Sequence, residues 1–143
     1  MKGDYDDIII DVGGRETTSL RASLSIADAC FVPFKPRSLD IWTIGDVKSV
    51  VSQMKPANPK LKVYAFINQG DSKGSDNDSS REILDECQEI KCLPITIGSR
   101  KAFANAASDG LSITELKIQD KKATQEIGQL YDFIYNKCMS DVC

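Results

Sequence analysis

Asp11 sits where a carboxylate can do chemistry. It follows Ile8, Ile9 and Ile10 and precedes Gly13 and Gly14. An aspartate closing a short β-branched run can hold magnesium, usually through a water, while the glycines let the next loop move; this is the pattern of a Walker B strand. The same residues also read as an ordinary turn aspartate, because many parallel strands end in one. Asn68 closes a second apolar run, Leu61 to Asn68. Its amide carries both a donor and an acceptor, as pairing with the edge of an adenine ring requires, or it simply opens the loop that follows.

Other chemistries are excluded by residue type. The chain has no histidine among its 143 residues, so it contains no Ser-His-Asp or Cys-His nucleophile system and no His-ligated metal. Cys30, Cys87, Cys92, Cys138 and Cys143 form no C-x-x-C pair, and an odd count of thiols fits reduced cysteines in a cytoplasmic protein. The opening Met1 to Asp7 is acidic where a signal peptide would be apolar, and no run is long enough to span a membrane. Asp71 to Glu82 has the length of a calcium loop, but Lys73 takes a ligand position and the glycine is misplaced. With 18 basic and 21 acidic residues and a pI near 5.0, a globally basic nucleic-acid-binding surface is ruled out, though a local basic patch is not.

The elements that would position these residues alternate. Ile8 to Asp11, Ala29 to Phe34, Leu61 to Asn68 and Cys92 to Ile97 read as strands. Between them lie helical spacings: Leu20, Leu24 and Ala27; then Ile41, Ile44, Val47, Val51 and Met54; then a capping box at Ser79 and Glu82 leading into Ile83, Leu84, Cys87 and Ile90. Two further helices are expected, near Arg100 to Ser108 and from about Lys121 to Cys138, the last with Ala123, Ile127, Leu130, Tyr131, Ile134 and Cys138 on one side. This alternation, without hairpin turns, predicts a single α/β domain over residues 1–143, built on a mostly parallel sheet with helices on both faces. Ligands of such sheets bind at the carboxyl ends of the strands.

Several segments together resemble the ParA/MinD group of deviant-Walker ATPases, most closely the short plasmid-type ParA partition proteins. They are the Tyr5 to Gly14 segment, the stretch Ser23 to Asp40 with its Ala27-Asp28 turn and Pro33 and Pro36, the segment Arg100 to Leu116 with Gly110 and Glu115-Leu116, and the run Lys122 to Leu130. The resemblance covers nearly the whole chain and implies a P-loop NTPase-like fold of the SIMIBI type. It implies that Asp11 is the catalytic, magnesium-linked acid, that Gly13, Gly14 and Arg15 form the switch sensing ATP, and that Asn68 and the turn from Gly98 to Arg100 line the adenine side. It further implies ATP-driven self-association into a dimer and a ParB-like centromere-binding partner. Non-specific DNA would be held by scattered basic residues, here Arg100 and Lys101, with Lys73 and Arg81 as further candidates. The same four residues also read as ordinary solvated charge. A bacterial cytoplasmic, nucleoid-associated protein acting in plasmid or chromosome partitioning, without membrane contact, would follow.

The chain departs from that family in two places. No G-x-x-x-x-G-K-[ST] or deviant equivalent occurs, so the resemblance places the first strand, the phosphate loop and the next strands ahead of residue 1. The chain is then the C-terminal portion of the ATPase, without phosphate cradle or deviant lysine, and is expected not to hydrolyse ATP alone. The second departure is Gly98, where many members carry proline. With the loop-bearing strand gone, Ile8–Asp11 is expected to pair directly with Ala29–Phe34, or another chain to supply the strand, because unmatched buried amides cost about 1–3 kcal/mol each. A rival reading is a P-loop-less, non-catalytic protein that binds a full-length ATPase or a partition partner through the helix after Asp40. A MinD-like regulator is a weaker one, because the tail Asn136 to Cys143 is not a basic amphipathic membrane helix.

Overall fold

The computed structural model describes residues 5–13, 18–36, 41–71, 77, 82 and 89–138, those at 41–44 by their backbone. In chain order these form α1 (Thr18–Ile26), β1 (Ala29–Phe34), α2 (Ile41–Met54), β2 (Lys62–Gly70), β3 (Lys91–Gly98), α3 (Lys101–Ser108) and α4 (Lys121–Asp132), which runs on as a π-helical turn, Phe133–Cys138. The capping box at Ser79 and the apolar positions Ile83, Leu84 and Cys87 lie outside the described residues.

β1, β2 and β3 form a parallel sheet in that order. β2 is central because its side chains are apolar on both sides, and alternate residues serve opposite layers. Val63, Ala65 and Ile67 point into a core with Leu24 of α1 and Val50, Val51 and Met54 of α2. Tyr64 and Phe66 point the other way, to Leu93, Ile95 and Ile97 of β3, with Phe103 of α3 and Ile127 and Leu130 of α4 packed against them. The protein is therefore α/β, with helices on both faces of a parallel sheet, consistent with part of a P-loop NTPase-like fold. Each outer strand carries a proline, Pro33 in β1 and Pro94 in β3, and the central strand carries none. A residue without an amide donor is tolerated only where one side of the strand lacks a partner.

Among the described residues, the fourth expected strand is absent. Ile8 to Asp11 pairs with nothing in the sheet, and Ile8, Ile9 and Ile10 are 53%, 85% and 44% exposed. The direct pairing of this run with Ala29–Phe34 is thus overturned. A β-branched run becomes a strand only when a ladder receives its amides and layers cover its faces; the described residues supply neither to this segment.

The last helix also differs from its 3.6-residue reading. Tyr131 is exposed and lies against Tyr135, while Phe133 packs inward on Phe31 and Tyr64. The wider π turn shifts the helical phase after Asp132, which brings Phe133 inward and keeps Cys138 in the core, whereas Tyr131 precedes the turn and stands on the outer edge of the apolar stripe.

Candidate functional site

The carboxyl ends of β2 and β3 are irregular. Asn68 pairs with Ile97 and Gly70 with Gly98, and the register shifts between Asn68 and Gly70. Gln69 absorbs the shift with φ at 55°, a left-handed conformation uncommon for a residue bearing a side chain. Asn68 Oδ1 accepts the Gln69 amide at 3.0 Å, and Ser99 N donates to Gly70 O at 3.0 Å, which closes the crossing. Gly70 is required there, since a Cβ would collide with Thr96 Cγ2. Strained backbone at a strand end is a common mark of a binding site.

Beside this irregularity opens a cleft of about 560 Å³. Phe66, Ile97, Phe103, Ile127 and Leu130 form its apolar wall, and Asn68, Gln69, Gly98, Ser99 and Arg100 form its polar rim. It faces solvent between the sheet and the two helices α3 and α4. Among the described residues, no group of three or more His, Cys, Asp or Glu side chains could hold a metal ion.

One carboxylate organises the rim. Glu126 Oε2 accepts the Gly98 amide at 2.9 Å and Arg100 Nε at 3.2 Å, and Oε1 accepts Arg100 Nη2 at 2.6 Å. The guanidinium is thus held side-on by two bonds, the strong geometry for an arginine–carboxylate pair. Asp120 Oδ2 stands 3.9 Å from Arg100 Nη1, and Asp120 also caps α4 by accepting the amides of Lys122 and Ala123. Arg100 folds back over Gly98, where an added Cβ would lie 3.2 Å from Nη2. Burial pushes the Glu126 carboxyl up, but the Arg100 hydrogen bond, the Gly98 amide and the Arg100 charge outweigh it and hold the group below the usual carboxylate range. The hydrogen bond to Glu126 in turn raises the Arg100 guanidinium, which stays protonated throughout.

The expected site residues separate into groups. Asn68, Gly98 and Arg100 meet at the cleft. Lys101 is exposed at the start of α3. Asp11 and Gly13 are exposed on the segment before α1, outside the sheet, and neither lines the cleft. Gly14, Arg15, Lys73 and Arg81 lie outside the described residues. Glu126, Asp120, Gln69 and the aromatic wall were not anticipated. Glu126 carried a signal: it lies three residues after Ala123 and four before Leu130, on the apolar stripe of its helix. A carboxylate on such a stripe needs a cationic or amide partner.

The cleft joins an apolar wall to a rim bearing amide and hydroxyl groups. A triphosphate with magnesium does not fit the described residues. The one cation of the rim is already paired, and the two carboxylates beside it oppose further negative charge.

The fold and cleft define a class, an open parallel α/β sheet with a binding cleft at the carboxyl ends of its strands. Comparison with known proteins narrows that class. The chain is 24% identical over 135 residues to Protein IncC of Escherichia coli, which covers 93% of this chain and 38% of that protein. It is 22% identical over 127 residues to Maintenance of carboxysome distribution protein A of Halothiobacillus neapolitanus, covering 88% of this chain and 58% of the relative. A second IncC protein of Escherichia coli is 22% identical over 135 residues, 37% of its length. The chain therefore spans less than two thirds of the curated relatives it matches. No protein-family model matches it. The similarity supports a ParA-like relationship. No helix among the described residues is long and apolar enough to cross a membrane.

Proposed function

We propose that residues 1–143 are a single α/β domain forming the C-terminal portion of a ParA-like partitioning or positioning ATPase, and that the cleft receives the adenine end of the nucleotide. The observation that supports this most is the position of the cleft. It lies at the carboxyl ends of two parallel strands, between Asn68 and the turn from Gly98 to Arg100, where open α/β sheets bind their ligands. In the intact protein, ATP and magnesium would complete a site to which Asp11 and the Gly13–Gly14 segment contribute. ATP-linked dimerisation, non-specific DNA binding through Arg100, Lys101, Lys73 and Arg81, and a ParB-like or other adaptor partner belong to that whole assembly.

Titration of this chain with adenosine, ADP and ATP, with and without magnesium, tests the reading. Base-dependent binding without a magnesium requirement is expected, with no turnover. ATP hydrolysis unaffected by Asp11→Ala would contradict both the assigned role of Asp11 and the family reading. Equal heats from adenosine and from a pyrimidine nucleoside would remove the base from the cleft.

The paired Arg100 favours a second reading, a non-catalytic protein that binds a full-length ATPase or a partition partner. Co-purification with such an ATPase, undiminished by changes at Asn68, would support it.

A further inference from the structure

A second concavity lies at the other end of the sheet, at the amino ends of β2 and β3. Its volume is about 370 Å³, and Lys55, Lys60, Lys62 and Lys91 all line it. Lys60 precedes and Lys62 follows the buried Leu61, and Lys91 stands one strand over, in register with Tyr64. We infer that this concavity is a second binding site, for a multivalent phosphate taken from a nucleic-acid backbone or from a free oligophosphate. From Lys62 to Asn68 the strand rises about 20 Å, so the inference does not depend on what the cleft holds. It also concerns other residues than Arg100, Lys101, Lys73 and Arg81.

The excess of positive charge is local, since the chain as a whole carries a net charge of -3. Among the described residues, Glu89 is the one acid lining the space, and its Oε2 lies 3.5 Å from Lys48 Nζ. With Lys48 balancing Glu89, the charge of the four lining lysines is left over. Asp28 sits beside the start of β2, where its carbonyl accepts the Lys62 amide at 3.1 Å, but it does not line the space. Counting it against the lysines still leaves three charges. A space of about 370 Å³ is roughly 7 Å across, no wider than the ~8 Å over which physiological salt screens, so charges on its lining act together. Lysines gathered this way repel one another until an anion joins them.

Lys55 is already fixed in position. Its Nζ donates to Leu61 O at 2.8 Å in a half-buried setting. An ammonium has three donors, so this bond holds the group at the rim and leaves two for a ligand. Lysine is a compact point charge without the planar fork that selects a carboxylate, so density of charge decides the ligand. An extended acidic peptide sets its same-side carboxylates about 7 Å apart. Duplex nucleic acid carries one charge per ~1.7 Å of its axis, and an oligophosphate is as dense.

Calorimetry on the whole chain, without magnesium, tests the site with inorganic pyrophosphate, a short DNA duplex and poly-glutamate. Binding of pyrophosphate assigns a free oligophosphate, and binding of the duplex alone assigns the backbone; either supports the site if the lysines carry it. Lys60→Glu combined with Lys91→Glu should then weaken the bound probe by about tenfold or more. With the duplex, the slope of log K against log salt should also fall by about 2. Both lysines are exposed, so the urea midpoint should not move. Lys121→Glu combined with Lys122→Glu makes the same change of charge on exposed lysines of α4 and should leave affinity within about twofold. Equal losses from the two double variants would reduce the effect to net charge and overturn the site. Poly-glutamate bound as tightly as the phosphates would overturn it too, as would no binding of either phosphate probe.

Discussion

The Gly98 amide donates to Glu126 Oε2 at 2.9 Å across 28 residues of chain, and this bond joins the end of β3 to the middle of α4. Gly98→Pro removes the donor and leaves a partly buried carboxylate oxygen with one partner fewer. A loss of about 1–3 kcal/mol is expected from urea unfolding. Gly98→Ala keeps the donor and only displaces the guanidinium, whose nearest nitrogen would stand 3.2 Å from the new Cβ. It should cost clearly less. Equal losses from the two variants would show that the amide bond contributes little.

Acid should weaken the same junction. Glu126 is held below the usual carboxylate range in the folded protein, burial being outweighed by Arg100 and Gly98. A depressed folded value means that the contribution is full above the ordinary carboxylate pKa of about 4.3 and is lost as pH falls through the folded value. Wild type should therefore exceed Glu126→Gln in stability at neutral pH, and the gap should close below about pH 4. Glu115, lowered by the Ser112 amide and hydroxyl against a small opposing effect of burial, adds a dependence of the same sign, but it is common to both proteins and cancels in the difference. A gap that widens in acid would contradict the assigned partners.

Much of this arrangement was legible in the residues, for reasons that can be stated. β1 at Ala29–Phe34 and the core positions Leu24, Val51, Met54 and Ala123 follow from local periodicity, which depends only on which face is buried. Asn68, Gly98 and Arg100 were placed at one end of the sheet because parallel strands bring their carboxyl ends together. Ile8–Ile10 misled because a run's β propensity says nothing of whether a neighbouring strand is present to accept it. Gln69 at φ 55° was invisible because a bulge belongs to the pairing of two strands and not to either one. Phe133 was missed because a π turn leaves no mark in a pattern read at constant period, and Tyr131 misled because it stands at the edge of its stripe, where spacing alone does not decide burial.

Asn58 should prove to tie α1 to the turn after α2, within one layer of the fold. Its Nδ2 donates to Leu24 O at 2.9 Å and to Ala27 O at 2.7 Å, so the turn after α2 closes the carboxyl end of α1. Both carbonyls belong to the orphan set that every helix end leaves. Asn58→Ala should cost about 1–3 kcal/mol, with faster exchange confined to amides of α1. Asn58→Asp removes the donor at nearly constant volume and should be at least as harmful, because a carboxylate would then face two carbonyl oxygens. A neutral Asn58→Asp would rule out the hydrogen bonds as the source.

Gly70 tests the strained crossing beside the cleft. A Cβ there would collide with Thr96 Cγ2 and crowd Ile67 Cγ2 at 3.3 Å. Both neighbours sit inside the sheet, where relief by rotation is limited, so Gly70→Ala should destabilise by about 1–3 kcal/mol, as overpacked cores do. Pairing it with Thr96→Ser, which deletes the offending methyl, should restore most of the loss. Failure of the double variant to recover would place the strain in the backbone at Gln69 instead.

The exposed run before α1 makes the opposite kind of prediction. Ile9 is 85% exposed and Ile8 and Ile10 about half so, with no ladder among the described residues to receive them. A β-branched apolar triplet in that state adds nothing to folding free energy and invites pairing with another chain. Ile9→Lys should leave the urea midpoint unchanged within about 0.5 kcal/mol, the range of ordinary surface changes. It should also reduce concentration-dependent association in sedimentation. A strand packed on β1 would respond differently: a lysine on its buried face would destabilise the fold by several kcal/mol. An unfolding midpoint that drops sharply in Ile9→Lys would therefore return Ile8–Ile10 to the sheet, and with it Asp11 to the end of a strand.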